Sequence, residues 1–536
     1  MASVFLAYPS NPESLGQPLE AAARSLNATV PGTIETWRAL DPDGSFIATN
    51  VTQAILESRS FAADITVPNF NVFYEVGYAI GLGKYVLILR NRALARSKQL
   101  TELGLFDTLG YREYENSREL VSLLRADDWG SPLAVASRPL NQKAPVYLLG
   151  AKYKTDFAIR ISSRLKKARL NYRTFDPSEQ VRLSAFEAIG EVSQSFGILV
   201  HLIPTEVQDS VDHNLRGAFL SGLAEGLGRV CTILQQGYDP VPLDFRDLVE
   251  TCESDAQLDG AIADFAARTA EALQTDTTPP GGEPTSLLGK LSFGASSAEN
   301  EMRDLGRYYL QTDAFLRSIR GEVRIVVGRK GSGKTALFFQ LRDSLRRGSR
   351  NTILDLKPEG YKLRKFKEDV LSFLGGGSLE HTITAFWEYL LLLEVCHRLL
   401  ENDKERHKRD ATLFHPYRTL ADAYEGDDFV SEGDFAERLS LLFRRIEADY
   451  KSRFGLETGK RLTASDVTRL LYKHDLAALR RSVISYLKFK ESLWILVDNL
   501  DKGWPTQGLK EEDLLLMEIL RPVIELRAGS LSQGSA

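Results

Sequence analysis

Cysteine is scarce in this sequence. The 536 residues contain three cysteines, Cys231, Cys252 and Cys396, and no C-x-x-C pair. This usage favours neither a disulfide framework nor a zinc site, and the seven histidines show no H-x-x-x-H or comparable ligand spacing. The scarcity fits a reducing compartment, so we expect a cytoplasmic protein.

Long hydrophobic runs are missing as well. The longest apolar block, AFWEYLLLLEVC, carries two glutamates and is well short of the roughly 20 residues that cross a bilayer. The first residues, MASVFLAYPSNPES, have no basic segment ahead of an apolar stretch, so we expect no signal peptide. A membrane partner is therefore not expected.

Neither sign of charge is in large excess. The formal net charge is -5 and the pI is about 6.0, which gives no overall attraction to nucleic acid or to an anionic membrane. Hydrophobic residues make up 43% and charged residues 26%, as in soluble globular proteins. A chain of this length should hold about three domains.

What the chain does contain is an internal repeat. SVFLAY at Ser3 matches PVYLLG at Pro145, WRALDP at Trp37 matches YRTFDP at Tyr172, and GLGKYVLIL at Gly81 matches GLGRVCTIL at Gly226. The matches keep the same order, so we expect two tandem copies over residues 1–140 and 141–272. Each copy alternates short apolar runs with helical patterns, which predicts an α/β fold with a parallel sheet covered by helices.

A segment rich in proline, glycine and threonine follows the repeats. It runs from Gln274 to Ser286, and we expect a linker over 273–292 and a third domain over 293–536. The third domain contains three apolar runs that predict strands, VRIVVG, NTILDL and SLWILVD. A long, charge-rich helical region is expected between the second and third runs, from about Tyr361 to Lys490.

The third domain carries a phosphate-binding motif. GRKGSGKT, from Gly328 to Thr335, fits G-x-x-x-x-G-K-[ST] and lies between a predicted strand and a predicted helix. Backbone N–H groups of such a loop converge on phosphates at a helix N-terminus. We therefore expect ATP and Mg²⁺ as cofactors, with Lys334 on the β- and γ-phosphates and Thr335 on the metal. The nucleotide-binding set is Gly328, Lys330, Gly331, Ser332, Gly333, Lys334 and Thr335.

A second acidic motif, LWILVDNLDKGW, strengthens this prediction. Asp498 ends the apolar run and is a candidate magnesium ligand, and Asp501 is a candidate to orient the attacking water or simply a turn aspartate. The part from about Phe293 to Leu526 resembles bacterial P-loop ATPases related to the STAND class. In such cores a further strand normally follows, so two explanations stay open: a truncated chain, or a homo-oligomer in which another subunit completes the site.

Glu75 is the unusual residue of the first copy. It lies in VFYEVGYAIGLG, where Val72, Val76 and Ala79 form the inward face of a predicted helix and Glu75 borders it. The helix would begin at the carboxyl end of a strand, where doubly wound sheets bind ligands. Glycines in the same stretch permit close backbone approach. The alternative is an ordinary glutamate stabilised by the helix dipole by roughly 0.3–1 kcal/mol.

The stretch ADITVPNFNVFYEVGYAIGLGKYVLIL resembles the signature of nucleoside 2-deoxyribosyltransferase-like domains and of related TIR-like domains. The resemblance implies a flavodoxin-like fold and a catalytic role for Glu75, which would attack C1′ of a sugar or stabilise its cation. It also implies that Asp64 orients groups at the site. The second copy has Leu220 at the glutamate position and Val200 or a neighbour at the aspartate position, so we expect it to be catalytically degenerate.

These observations together predict a P-loop ATPase coupled to a module that cleaves an N-glycosidic bond. The substrate would be NAD or a nucleoside or nucleotide, and the resemblance implies bacterial anti-phage defence. A tandem module that binds a nucleotide without cleaving it is the alternative. A weaker alternative is a nucleic-acid-handling ATPase that uses the basic side chains of the helical region. The four that we single out there are Lys404, Arg406, Lys408 and Arg409.

Overall fold

The computed structural model of the protein describes most of the chain. Its described residues are 4–40, 47–94, 98–125, 129, 132–133, 139–152, 155–177, 180, 182–237, 248–275, 305–323, 325–329, 331–348, 350–356, 379–424, 434–454, 466, 469, 472 and 475–498. The chain divides into two compact units, Met1–Ser292 and Phe293–Ala536. The predicted linker falls almost wholly outside the described residues.

The first repeat forms a five-stranded sheet. Its strands are β1 (Val4–Ala7), β2 (Ile34–Thr36), β3 (Ser60–Asp64), β4 (Tyr85–Asn91) and β5 (Tyr111–Tyr114). They are all parallel, and their order is β2-β1-β3-β4-β5, which is the order of doubly wound flavodoxin-like sheets. The helices between and after them are α1 (Glu13–Thr29), α2 (Ile47–Glu57), α3 (Phe70–Gly81), α4 (Lys98–Leu103) and α5 (Ser117–Arg125).

The second repeat forms a sheet of the same order. Its strands are β6 (Val146–Leu149), β7 (Tyr172–Phe175), β8 (Gly197–Leu202), β9 (Val230–Gln236) and β10 (Val249–Cys252). They are parallel and run β7-β6-β8-β9-β10 across the sheet. The helices are α6 (Asp156–Lys167), α7 (Ala185–Ser193), α8 (Ser210–Gly226) and α9 (Asp255–Thr275). The predicted α/β class with two parallel sheets is confirmed.

Local sequence explains the elements that matter for function. All four residues of β1 are buried, as a strand covered by helices on both sides must be. Helix α3 begins after Asn69, whose side chain accepts a hydrogen bond from the Val72 backbone N–H at 3.2 Å. Val76 and Ala79 are completely buried, as their helical spacing predicts.

The unit Phe293–Ala536 contains a two-stranded parallel sheet and many helices. The strands are β11 (Asn351–Leu356) and β12 (Ser492–Val497). The helices are α10 (Leu305–Tyr308), α11 (Asp313–Ile319), α12 (Lys334–Leu345), α13 (Leu379–Asp403), α14 (Ala411–Tyr424), α15 (Phe435–Phe454) and α16 (Leu476–Leu487). The last four agree with the predicted helical region. In the parts of the chain given above, no helix has both the length and the apolar character to cross a membrane.

The predicted strand VRIVVG does not form in the described part of this segment. Ile325, Val326 and Val327 belong to no strand, and they are 63%, 43% and 89% exposed. Within the described residues the sheet of this unit consists of β11 and β12, so this apolar run has no strand beside it to complete a hydrogen-bonded ladder. The prediction of a strand was therefore wrong for these residues, although the pattern was typical of one.

Candidate functional site

Asp64 occupies the carboxyl end of β3. Its side chain is completely buried. Oδ2 accepts a hydrogen bond from the Tyr114 hydroxyl at 2.7 Å, and Oδ1 accepts one from the Thr66 backbone N–H at 2.9 Å. Burial raises the pKa of the Asp64 carboxyl from 3.8 to about 6, against the opposite effect of these two hydrogen bonds.

The hydrogen bonds of Asp64 extend across three strands. The Thr66 hydroxyl accepts a hydrogen bond from the Asn91 backbone N–H at the end of β4, at 2.7 Å, and Tyr114 ends β5. Asp64 therefore ties the ends of β3 and β5 to the start of the loop that leads into α3. These bonds go to Tyr114 and Thr66, and they hold the loop before α3 in place.

Glu75 lies in the second turn of α3 and is 5% exposed. A glutamate is seldom buried this deeply without a specific reason. Since α3 follows β3, its first turns lie at the carboxyl edge of the parallel sheet, the usual place for ligands in this architecture. The prediction that Glu75 borders the inward face agrees with this burial.

Tyr8 is a further polar residue of this edge. It follows β1 directly, and its hydroxyl donates a hydrogen bond to Oε1 of Glu20 on α1. The Thr36 hydroxyl, at the end of β2, donates to the same carboxylate oxygen at 3.1 Å. The tyrosine immediately after an apolar strand was the available signal, but its partners Glu20 and Thr36 are too distant in the sequence to be inferred.

The glycines of the repeated motif have a partner other than a ligand. A Cβ on Gly77 of α3 would lie 2.2 Å from the Phe219 carbonyl oxygen, and one on Gly222 of α8 would lie 2.0 Å from the Tyr74 carbonyl oxygen. Gly81 and Gly226 meet in the same way one turn later, since a Cβ on Gly81 would lie 2.8 Å from the Gly226 Cα.

Helices α3 and α8 therefore cross with their backbones in contact. The arrangement is reciprocal, because each helix contributes two glycines four residues apart to the same crossing. The close backbone approach that we expected at Gly77 and Gly81 exists, and it joins the two repeats. Gly83, by contrast, has φ +70°, and a Cβ there would meet nothing within 4 Å in the described chain, as at a turn glycine.

The strand registers identify the residues of the second repeat that correspond to Asp64 and Glu75. Asp64 pairs with Leu89 of β4, and His201 pairs with Leu234 of β9, which is the residue matching Leu89 in the repeated motif. The structural counterpart of Asp64 is thus His201, the residue after Val200. The glycine crossing makes Leu220 the counterpart of Glu75, as the sequence predicted, and Leu220 is completely buried.

His201 faces a second histidine at the carboxyl edge of this sheet. His213 lies in the first turn of α8, and the two ring centroids are 4.9 Å apart. Nε2 of His213 lies 2.9 Å from the His201 carbonyl oxygen. Both side chains are buried. Among the described residues, neither ring nitrogen of His201 has a hydrogen-bond partner, nor has Nδ1 of His213.

The environment of these histidines favours their neutral forms. Burial lowers the pKa of His201 from 6.5 to about 4. Burial, and then the neighbouring charges of His201 and Arg216, lower the pKa of His213 well below its usual value. Arg216 lies one helical turn after His213 and donates a hydrogen bond to the Leu103 carbonyl oxygen of the first repeat at 3.3 Å.

The glycine loop of the second unit contains two glycines with positive φ and leads directly into a helix. Gly331 and Gly333 both have φ of 83°, a left-handed conformation that favours glycine, and α12 begins at Lys334 immediately afterwards. The Lys334 ammonium donates hydrogen bonds to the Gly328 and Arg329 carbonyl oxygens at 2.7 and 3.2 Å. Lys330 lies outside the described residues.

The two expected magnesium ligands lie at the ends of different elements. Thr335 is the second residue of α12. Asp498 directly follows β12, and its backbone N–H donates to the Leu356 carbonyl oxygen at the end of β11 at 3.0 Å. In the described chain no group of three or more histidine, cysteine, aspartate or glutamate side chains could hold a metal ion. Asp501 lies outside the described residues.

The basic side chains of the helical region are partly neutralised by their neighbours. Lys408 forms an ion pair with Glu405 at 2.9 Å. Arg406 lies 4.0 Å from Asp403 and 3.9 Å from Asp410. These residues lie in the turn between α13 and α14, and their ion pairs are typical of an ordinary solvated surface.

Comparisons with known proteins give one partial relative. The chain is 33% identical over 220 residues, 40% of its length, to the "Putative transposon gamma-delta 80.3 kDa protein" of Escherichia coli (strain K12). The matched residues make up 29% of that protein, so the chain spans less than a third of the relative's length. No family model and no solved structure matches the chain.

Proposed function

We propose that this protein is a nucleotide-binding P-loop ATPase coupled to a module that cleaves an N-glycosidic bond. The first repeat would act on NAD or on a nucleoside or nucleotide, and the setting would be bacterial anti-phage defence. The observation that carries the proposal is the burial of Glu75, which is 5% exposed in the second turn of α3. The resemblance of the surrounding sequence gives that carboxylate its role.

The chemistry requires a carboxylate at C1′ of the sugar. Glu75 would attack C1′ or stabilise its developing positive charge while the C1′–N bond breaks and the base leaves with the electron pair. Water then bonds to C1′, which releases the Glu75 carboxylate where it had bonded there, and the proton lost by the water passes to the departed base or to solvent. Asp64, through its bonds to Thr66 and Tyr114, would keep the loop before α3 in one conformation and so position Glu75.

The glycine loop supports nucleotide binding by the other unit. Lys334 already lies across the loop, held by two carbonyl oxygens, and phosphate oxygens would replace these acceptors. Thr335 and Asp498 would hold Mg²⁺, which neutralises phosphate charge when it is bound. Gly331 and Gly333 let the loop's N–H groups turn toward the phosphates.

Base release from NAD and from deoxynucleosides tests the role of Glu75. We expect Glu75→Gln to lower the rate by about a thousandfold, because the amide can neither attack C1′ nor stabilise a cation as a carboxylate does. Release is followed by chromatography. Glu57→Gln is the matched control, since Glu57 is an exposed glutamate at the end of α2. Base release that persists unchanged in Glu75→Gln would refute the assignment.

Thermal melting with and without Mg-ATP tests the glycine loop separately. At a nucleotide concentration about a hundred times Kd, binding should stabilise the fold by about 2.7 kcal/mol. We expect Lys334→Ala to abolish this shift and Lys404→Ala, which removes an exposed lysine, to keep it. Equal shifts in the Lys334→Ala variant and the parent would contradict nucleotide binding at this loop.

A sensor that binds a nucleotide without cleaving it is the second candidate. The basic side chains at the carboxyl edge of the second sheet favour it, because they suit ligand binding and include no nucleophilic carboxylate at the Glu75 position. Calorimetry beside the chromatographic assay separates the two functions. Saturable binding without base release, unchanged in Glu75→Gln, would support the sensor and overturn the hydrolase.

A further inference from the structure

The second repeat has a histidine where the first has its buried aspartate, and this exchange points to a site of its own. At the carboxyl edge of its sheet His201 replaces the aspartate, and His213 and Arg216 project from the beginning of α8. We propose that this edge binds a phosphoryl group. The inference goes beyond the proposed function, which assigns the second repeat no ligand.

The position is the one where doubly wound sheets receive phosphates. The strand order of the second sheet reverses between β6 and β8, so a crevice is expected at their carboxyl ends. His201 is the fifth residue of β8, and the first turn of α8 carries His213 against it. A 17-residue helix that begins at such a crevice offers N–H groups and a positive dipole end to an anion.

Three buried ring nitrogens indicate that a group is needed there. His201 is 3% exposed and His213 is 4% exposed. Yet Nδ1 and Nε2 of His201 and Nδ1 of His213 have no hydrogen-bond partner in the part of the chain that the structure describes. Buried polar atoms of native proteins are nearly always hydrogen-bonded. In the neutral forms His201 keeps one N–H donor, whereas His213 donates Nε2–H to the His201 carbonyl oxygen and its Nδ1 is an acceptor. A phosphoryl oxygen can accept from the His201 N–H, and protonation of either ring supplies a further donor.

Helix α8 is hydrogen-bonded to the residue that follows the strand of His201. The Asn214 side chain accepts a hydrogen bond from the Ile203 backbone N–H and donates one to the Ile203 carbonyl oxygen, both at 2.9 Å. The two histidines are therefore held at a fixed separation before any ligand arrives. Preorganised donors of this kind lower the entropic cost of binding.

The surrounding charges predict how binding depends on protons. Arg216 and Lys152 are positive, and the nearby acidic groups are Asp209, which forms an ion pair with Lys152 at 2.9 Å, and Asp212. With both histidines neutral these four charges cancel. A bound phosphoryl group leaves its negative charge uncompensated unless a histidine takes up a proton, so binding should be coupled to proton uptake at neutral pH.

A metal ion does not suit the same residues. Structural zinc takes four protein ligands and catalytic zinc three. Across the described chain no cluster of three histidine, cysteine, aspartate or glutamate side chains has that arrangement. The cationic Arg216, one turn after His213, would also repel a metal ion and attract an anion.

Titration calorimetry on the full chain tests the proposal. For this experiment the chain carries the substitution Lys334→Ala, so that the glycine loop does not contribute to binding. The probes are inorganic phosphate, pyrophosphate and ADP-ribose. Titrations at pH 7 in two buffers of different ionisation enthalpy report protons taken up. We expect saturable binding with net proton uptake. Saturation by inorganic phosphate indicates a free anion as the ligand, and saturation by ADP-ribose alone indicates a nucleotide.

Variants assign the binding to these residues. His201→Gln and His213→Gln should each weaken binding at least about tenfold. His415→Gln, at an exposed histidine, should leave it unchanged. If the first two variants do not fold, the measurement of proton uptake on binding by the chain with intact histidines still tests the proposal.

Absence of saturable binding by all three probes would overturn the proposal and leave the histidines as holders of internal water. Binding without proton uptake would equally overturn it. Neither result bears on base release through Glu75.

Discussion

The two repeats share one sheet order and differ at its carboxyl edge. The first has the buried carboxyl groups of Asp64 and Glu75, and the second has His201 and Leu220 at the corresponding positions. The apolar strands preserve the fold in both copies, since their burial requires only hydrophobic residues of similar size. A repeat can therefore lose one chemical group and gain another without any change of architecture.

What the repeats have kept in common is the helix crossing. Each supplies two glycines, Gly77 and Gly81 from α3 and Gly222 and Gly226 from α8, and each glycine meets the backbone of the other helix. This explains why glycine recurs at these positions in both copies although their polar residues diverge. The glycines are therefore better explained by packing between repeats than by ligand binding.

Substitution of a crossing glycine should have the largest effect on stability. A Cβ on Gly222 would stand 2.0 Å from the Tyr74 carbonyl oxygen, so Gly222→Ala must push the helices apart. We expect it to lower the free energy of unfolding by more than about 3 kcal/mol, measured by chemical denaturation.

Gly260→Ala is the matched control. Gly260 lies in α9, and a Cβ added there would have no described atom within 4 Å. Alanine at this position should stabilise the helix by about 1 kcal/mol. Equal tolerance of alanine at Gly222 and at Gly260 would show that α3 and α8 do not meet as described.

The contributions of Asp64 and His201 to the stability of the fold should change with pH in opposite directions. Burial raises the pKa of Asp64 from 3.8 to about 6, so its contribution to stability is fully present below about pH 4 and is lost as pH rises through 6. Burial lowers the pKa of His201 from 6.5 to about 4. The contribution of His201 is therefore fully present above pH 6.5 and is lost as pH falls toward 4. Each is worth about 3 kcal/mol.

Denaturation at pH 4.5 and at pH 7 checks this opposition. From pH 4.5 to pH 7, the free energy of unfolding of Asp64→Asn should rise relative to that of the parent. That of His201→Gln should fall relative to the parent, because each variant lacks one titrating group. The comparison uses differences between variant and parent, which cancel the other titrating groups. A change of the same sign in both variants would contradict the opposite pKa shifts of Asp64 and His201.

The sequence predicted the parts of the structure that depend on local patterns. Strand–helix alternation indicated both parallel sheets, and the helix expected after the glycine loop is α12. The sequence did not predict contacts between segments that are distant along the chain. Nothing local indicates that Tyr114 bonds Asp64, 50 residues earlier, or that the glycines of two repeats face each other.

One expectation failed for an identifiable reason, and another was sharpened by the structure. Ile325, Val326 and Val327 were predicted as a strand because they are apolar and β-branched, but a strand also needs a partner to bond. The sequence placed the counterpart of Asp64 at Val200 or a neighbour without deciding between them. Only the hydrogen-bonded register with β9 fixes it at the next residue.

The central claim is that Glu75 makes the first repeat a catalyst and that its absence makes the second repeat unable to cleave. The most direct measurement is the rate of base release from NAD by Glu75→Leu, which gives the first repeat the residue of the second, with the melting temperature measured on the same sample. We expect complete loss of base release in a variant whose melting temperature is that of the parent. Release at the parental rate in that folded variant would contradict it.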